Sequence, residues 1–290
     1  MSIWFRILVL PWLWLISILP FPMLYGFSNF LSFLVYRVIG YRKAIVRQNL
    51  KNSFPEKTEA QLLAIEKKFY LHLTDLILET IKGMTITAKS LQKRMRIANP
   101  EIFSQLNSDK RSSIVVMSHC GNWEWVCDAA QISVSQYAQC VYKTLHNKSW
   151  DAWFLMVRSR FGTDPFPMEK TLRIMAGQKD QVTTTAFIGD QNPSSGKNAY
   201  WTSFLNQETC FMMGSEKIAV KLNQTVLYLA IHKVKRGYYE CHTELLCANP
   251  GTTKEGEITE MIASATERDI CRQPENWLWS HRRWKHKKPE

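Results

Sequence analysis

The hydropathy pattern begins with a run from Ile7 to Tyr36 that carries no charge, 30 residues between Arg6 and Arg37. A helix needs about 20 apolar residues to cross a bilayer, so the run is long enough even with Pro11, Pro20 and Pro22 inside it. Trp4, Phe5, Trp12 and Trp14 cluster near its start, as aromatic residues do at membrane interfaces. Arg37, Arg42, Lys43, Arg47 and Lys51 follow with no acid before Glu56, and by the positive-inside rule this places the rest of the chain in the cytoplasm. A cleaved leader would want a more basic start, a shorter apolar core and a small-residue cleavage site. Residues 1–36 are therefore expected to form an N-terminal membrane-anchoring helix, either spanning or lying in one leaflet. Residues 37–290 then form the domain that follows.

Past the anchor the period changes. Residues 44–84 predict helix, with Thr58 and Gln61 as a capping box ahead of Leu62, Ile65, Phe69, Leu73, Leu76 and Ile77. Ser113–Ser118 is short, β-branched and apolar, as expected of a buried strand. Residues 123–134 predict a helix, and 184–189 a strand that ends in a turn cluster. Val226–Val234 and Tyr238–Leu246 flank Lys235-Arg236-Gly237 as a hairpin. Residues 255–272 predict an amphipathic helix, with acids early and Arg late. Strands alternating with helices, plus one hairpin, give an α/β fold with a mixed sheet flanked by helices.

Composition narrows the partners. Hydrophobic residues make up 46% and charged residues 21%, which excludes a disordered chain. An excess of 37 Lys and Arg over 25 Asp and Glu gives a charge of +12 and favours anionic partners. The 7 cysteines show no C-x-x-C pair and no zinc spacing, so they are expected to be reduced thiols. No metal site is expected, and H-E-x-x-H is absent, which argues against a metal-dependent hydrolase.

The strongest local signal is His119-Cys120-Gly121-Asn122-Trp123-Glu124, where a strand gives way to a helix. On one continuous helix, residues five apart sit about 140° round the axis and cannot converge. With His119 on the loop and Glu124 in the first helical turn, the carboxylate can fold back onto the imidazole and make it a general base. Both residues would also serve as ordinary capping groups at such a turn. Cys120 is a rival nucleophile by its nearness to His119, although neighbours on an extended strand point to opposite faces.

This segment resembles the H-x4-D/E block of membrane acyltransferases, specifically the late lipid A biosynthesis acyltransferases. Val141-Tyr142-Lys143 resembles the V-Y-R/K block of that family. Asp151 and Arg158 follow at family spacings, and Asp190-Gln191 resembles its D-Q element, with Phe204 beyond. Pro274-Glu275-Asn276-Trp277-Leu278-Trp279-Ser280-His281-Arg282-Arg283-Trp284-Lys285 is similar to its C-terminal block. The F-P-E-G-T-R-like acceptor block of glycerol-phosphate acyltransferases is missing; Gly189–Gly196 stands in that region. Lys143 replaces the more usual Arg, which weakens bidentate anion binding there.

The resemblance implies a glycerolipid-acyltransferase-like fold and transfer of an acyl chain from a thioester to a hydroxyl. His119 would be the general base, Glu124 its orienting carboxylate and Arg158 the oxyanion donor. Asn122, Tyr142, Lys143, Asp151, Asp190, Gln191, Arg282 and Arg283 would bind substrate. For Asp190 a structural role at a strand end fits as well, and Arg282 and Arg283 would otherwise form a solvated basic face. The implied donor is acyl-acyl carrier protein, and the acceptor a phosphorylated lipid A precursor bearing hydroxyacyl chains. Membrane lipids are implied partners, nucleic acid is not, and no cofactor is implied. The implied location is the inner membrane, with the catalytic domain facing the cytoplasm. Two alternatives are carried forward: an acyltransferase for a lysophospholipid or aminolipid, and a non-catalytic lipid-binding or scaffold protein.

Overall fold

A computed structural model of the chain describes residues 1–178, 180–193 and 199–288. The helices are α1 (Leu10–Ile18), α2 (Phe21–Phe33), α3 (Lys43–Ser53), α4 (Glu59–Lys82), α5 (Ala88–Arg94), α6 (Glu101–Ser108), α7 (Trp123–Gln131), α8 (Lys148–Arg158), α9 (Thr171–Gly177), α10 (Gly214–Leu222) and α11 (Glu257–Arg272). The strands are β1 (Met95–Ile97), β2 (Ser113–Met117), β3 (Tyr137–Tyr142), β4 (Asp164–Pro167), β5 (Thr183–Ile188), β6 (Tyr200–Phe204), β7 (Gln207–Phe211), β8 (Thr225–Lys235) and β9 (Tyr238–Cys247).

Seven strands form one mixed sheet in the order β1-β9-β8-β2-β5-β3-β4, and β6-β7 is a separate hairpin. All pairings in the large sheet are parallel except β8 with β9. β2 lies between β8 and β5 and all of its residues are buried. Its period of two divides the core. Val115 and Met117 pack with Leu227, Leu229, Trp125 and Val126 on one face. Ile114 and Val116 pack with Ala219, Ile258 and Ile262 on the other. Two covered faces are what a parallel sheet requires, and they explain a strand without polar alternation.

The predicted elements from Thr58 onward form where the patterns put them, including the capping box, in which Thr58 N–H donates to Gln61 Oε1 at 2.8 Å. The β6–β7 hairpin was not anticipated. Its turn, Leu205-Asn206, has φ of 50° and 61°, the left-handed pair of a tight hairpin turn, but Leu is not a residue that announces one.

The N-terminal run departs from the expected single helix. It is broken at Leu19-Pro20, opens and closes in wider π-type turns (Phe5–Val9 and Leu34–Ile39), and turns sharply at Gly40. No single described helix is long and apolar enough to cross a membrane; only the pair Phe21–Ile39 and Lys43–Ser53, bent by 94°, has the length and composition together. Parts of the run pack onto the body. Leu24 is fully buried, Phe5 and Leu13 pack with Trp153 and Val157, and Lys82 Nζ donates to the carbonyls of Ser17 and Leu19. Ile3, Trp4, Ile7, Leu8, Trp12, Trp14, Leu15 and Ile18 stay exposed.

Thr58→Ala removes the cap of the longest helix at an exposed position. We expect a loss of about 1 kcal/mol in chemical denaturation with no change in catalytic rate.

Candidate active site

The site grows from the end of β2. His119 follows that strand, Gly121 makes the turn at φ 60°, and Asn122 caps α7 by accepting from Trp125 N–H at 3.1 Å. Gly121 is required twice over, since a Cβ there would also sit 2.6 Å from Ile231 Cγ2. The turn is held from two sides, by the C-terminal segment and by α4. Gly121 N–H donates to the carbonyl of Asn276 at 3.0 Å, Cys120 bridges Trp277, and His72 Nε2 lies 3.2 Å from the Gly121 carbonyl. Asn122 Nδ2 donates to Glu79 Oε2 at 2.7 Å, and the same carboxylate accepts from Tyr25 and Tyr239.

His119 Nδ1 lies 2.6 Å from Asp190 Oδ1, while Asp190 Oδ2 accepts from His119 N–H at 3.0 Å and Trp277 Nε1 at 2.6 Å. Burial would raise the Asp190 pKa, but His119, Trp277 and the backbone donor bring it down to about 2. An ionised carboxylate can only accept, so Nδ1 carries a proton, and in the neutral imidazole Nε2 then offers a lone pair. Gln191 Nε2 approaches that lone pair at 3.3 Å, and Trp123 meets the imidazole edge to face at 4.9 Å.

The expected His119–Glu124 contact is therefore replaced by His119–Asp190. Glu124 is engaged elsewhere: Arg158 Nε and Nη2 fork onto it at 2.9 and 2.8 Å, and Trp123 Nε1 donates at 3.2 Å. Burial works to raise the Glu124 pKa, yet Arg158, His119 and Trp123 together lower it. Bidentate pairing holds both planes rigid and leaves Arg158 Nη1 outside the fork.

A cavity of about 460 Å³ opens beside these groups, lined by His119, Glu124, Arg158, Tyr142, Lys143, Asp151, Gln191 and Asn192 with a mostly apolar remainder. Its origin is a parting of the sheet. The β3–β5 ladder ends at Cys140 and Ala186, and each strand runs two residues further with its other neighbour. Open α/β sheets bind ligands at such carboxyl ends.

Three further expectations need correction. Asn122 is buried and serves as a cap and as a donor to Glu79, so it does not reach the cavity. Asp190 sits 1% exposed behind His119 and holds it, rather than facing a substrate. Arg283 is not part of a solvated basic face: it is 1% exposed, donates to Thr209 Oγ1 at 2.6 Å and lies 4.4 Å over Phe211, and burial lowers its pKa to about 10. Arg282 is exposed, and Asp151 accepts from Leu145 N–H at 2.8 Å at the cavity rim. Of the Gly189–Gly196 stretch, Ser194 to Gly196 lie outside the described residues.

Burial pushes the Cys120 thiol well up, which removes it as a nucleophile. Among the described residues no group of three or more His, Cys, Asp or Glu side chains is gathered as a metal would need. The sequence reading missed His72, Glu79 and Trp277 as supports of the site. A signal for two of them exists, since His72, Asp75 and Glu79 interrupt the buried apolar stripe of α4 at helical spacing.

An imidazole held by a carboxylate, an arginine fixed at the same cavity and largely apolar walls are parts that acyl transfer onto a hydroxyl calls for. The chain belongs to the bacterial lipid A biosynthesis acyltransferases, whose family model matches residues 1–286. It is 24% identical over 288 residues to the lipid A biosynthesis lauroyltransferase of Escherichia coli (strain K12), covering 97% of this chain and 92% of that protein. It is thus a transferase of lipid A synthesis.

His72 supplies a test of the clasp. Burial, then Lys233, drives its pKa from 6.5 to about 3, so the folded state binds neutral imidazole. Because the folded value is depressed, this contribution is complete above pH 6.5 and is lost progressively as pH falls toward 3. We expect His72→Gln, which keeps a donor for Gly121, to flatten the stability–pH curve in that window, as followed by urea denaturation at fixed pH values.

Proposed function

We propose that the protein is a membrane-associated O-acyltransferase. It moves a fatty acyl chain from acyl-acyl carrier protein to the hydroxyl of a hydroxyacyl chain on a phosphorylated lipid A precursor. The observation that carries this reading is His119 at the cavity wall, its Nδ1 held by Asp190 at 2.6 Å and its Nε2 met by the Gln191 amide at 3.3 Å. His119 Nε2 takes the proton of the acceptor hydroxyl as its oxygen attacks the thioester carbonyl. Asp190 holds the ring and offsets the imidazolium charge. Arg158, anchored by Glu124, is the cationic donor for the tetrahedral oxyanion. Collapse of the intermediate expels the carrier thiolate, which recovers the proton from His119. The excess of basic residues suits both an acidic carrier and anionic lipid.

The membrane contact assigned here is lateral. Exposed Ile3, Trp4, Ile7, Leu8 and Trp12 form an apolar surface beside the start of α8, where Ser2 N–H donates to Ser149 Oγ at 2.9 Å and Phe5 meets Trp150 at 5.0 Å. α8 in turn carries Phe154 and Arg158 into the cavity wall, so lipid held at this surface lies next to the site.

Purified protein supplied with acyl-acyl carrier protein should acylate a lipid A precursor and leave a lysophospholipid untouched. We expect His119→Ala to lower kcat by about a thousandfold or more, and Asp190→Asn by at least about a hundredfold. Transfer that survives His119→Ala would sink the mechanism, and acylation of only the lysophospholipid would replace the acceptor. In flotation with vesicles containing anionic phospholipid, Trp4→Glu with Trp12→Glu should release most of the bound protein. Detergent-dispersed substrate should still be turned over.

A further inference from the structure

The cavity stops short of a second, smaller void. This void of about 30 Å³ lies under α6 and α7, with Phe103, Val115, Val126, Ala138 and Leu229 among its walls. Its polar neighbours are turned to partners: Thr184 accepts from Ser113 Oγ at 3.0 Å, and Gln139 accepts from Thr185 Oγ1 at 3.3 Å. A space so lined stays dry and takes hydrocarbon rather than water. Three side chains line both spaces, namely Met117 on β2, Cys127 on α7 and Ala186 on β5.

We infer that Met117, Cys127 and Ala186 form the floor that sets the length of the acyl chain this enzyme accepts, and that the void behind them is unused reach. The inference rests on the acyl-transfer reading of the cavity. Met117 is the last residue of β2, two residues before His119, and both line the cavity, with Met117 on the side that meets the void. Ala186 pairs with Cys140 across β5 and β3, so the wall beyond Met117 is built of small residues. A chain whose carbonyl carbon sits at His119 Nε2 has Lys143, Asp151 and Gln191 at the polar end and this apolar wall at the other. It ends at Met117, Cys127 and Ala186, which line both spaces.

The floor has the right chemistry. Cys127 shares a hydrogen bond with Cys140, and this together with burial keeps its thiol neutral, so it presents a small apolar surface. Met117 is unbranched and 1% exposed, and removing its three outer heavy atoms joins the two spaces. Each methylene newly buried favours the longer chain severalfold.

The test is a length profile of kcat/KM with acyl-acyl carrier proteins from decanoyl to stearoyl and one lipid A precursor. Met117→Ala should move the optimum to a chain about two carbons longer and raise the ratio of that chain to the original optimum about tenfold. Ala138→Val, which intrudes on the void alone, should leave the unaltered protein's profile in place and cancel the shift when combined with Met117→Ala. Should Met117→Ala fail to fold by circular dichroism, Cys127→Ala opens the same wall and should shift the profile in the same direction. An active Met117→Ala or Cys127→Ala enzyme with an unmoved profile overturns the inference, as does a shift that Ala138→Val does not cancel. Absence of transfer by the unaltered protein at every length instead overturns the proposed function, and the inference with it.

Discussion

A single buried carboxylate fixes the relation between three distant parts of the chain. Asp190, at the end of β5, accepts from the His119 backbone, the His119 ring and Trp277. An ionised group without water costs several kcal/mol unless its lone pairs are filled. Here the donors come from the end of β2 and from the C-terminal segment, so those elements must meet at Asp190 for the charge to be tolerated. β2 and β5 already run side by side in the sheet, and only the tail has to be brought in. Asn49 Nδ2 does this by donating to the carbonyls of Trp279 and His281, and Arg42 Nη1 by donating to that of Ser280. The aromatic tail thereby becomes core, with Trp277 and Trp279 packed edge to face at 4.6 Å.

A second buried carboxylate, Glu79, repeats the logic one layer out. It gathers Tyr25 from α2, Tyr239 from β9 and Asn122 from the turn, and burial pushes its pKa upward against those hydrogen bonds. One side chain of α4 therefore ties the apolar N-terminal segment to the residue that caps the site helix. A shift of α2 would be felt at Asn122 through two hydrogen bonds rather than through loose packing. Asp75, one turn earlier, binds Arg236 in the β8–β9 turn and Ser28 in α2, so α4 works as a spine between the N-terminal segment and the candidate site.

What the sequence discloses follows from the range of the forces involved. Elements set by local pattern, such as the Thr58 capping box and the buried strand at Ser113, are legible because their determinants lie within a few residues. The turn at His119–Glu124 is legible as a candidate site for the same reason. The identity of the histidine's partner is not, because Glu124 and Asp190 are both acids near the turn in space and only Glu124 is near it in sequence. The sheet order that places β5 beside β2 decides between them, and strand order is a long-range property. Arg283 shows the converse: a run of basic residues reads as solvated face, yet the Phe204 and Phe211 platform that buries it comes from a hairpin whose Leu-Asn turn gives no signal. The N-terminal run is legible only in part, for a third reason. Its composition permits a span, while Pro20 and Gly40 break the single helix and α4 offers a surface for part of it.

The two acids end with different tasks because their surroundings differ. Asp190 is enclosed and compensated mainly by hydrogen-bond donors, two of them from His119, so its charge is directed at the imidazole. Glu124 stands at the cavity and is compensated by a full cation, so the Glu124–Arg158 pair is nearly neutral as a unit. Under the proposed mechanism this division is useful. Were Glu124 free to bind His119, Arg158 would lose its anchor and become mobile beside the reacting carbonyl. Were Asp190 paired with a cation, the imidazolium formed on proton transfer would have no charge to offset it. Separating the carboxylates lets one stabilise the positive charge that develops on His119. The other holds a preorganised donor toward the negative charge that develops on the substrate oxygen.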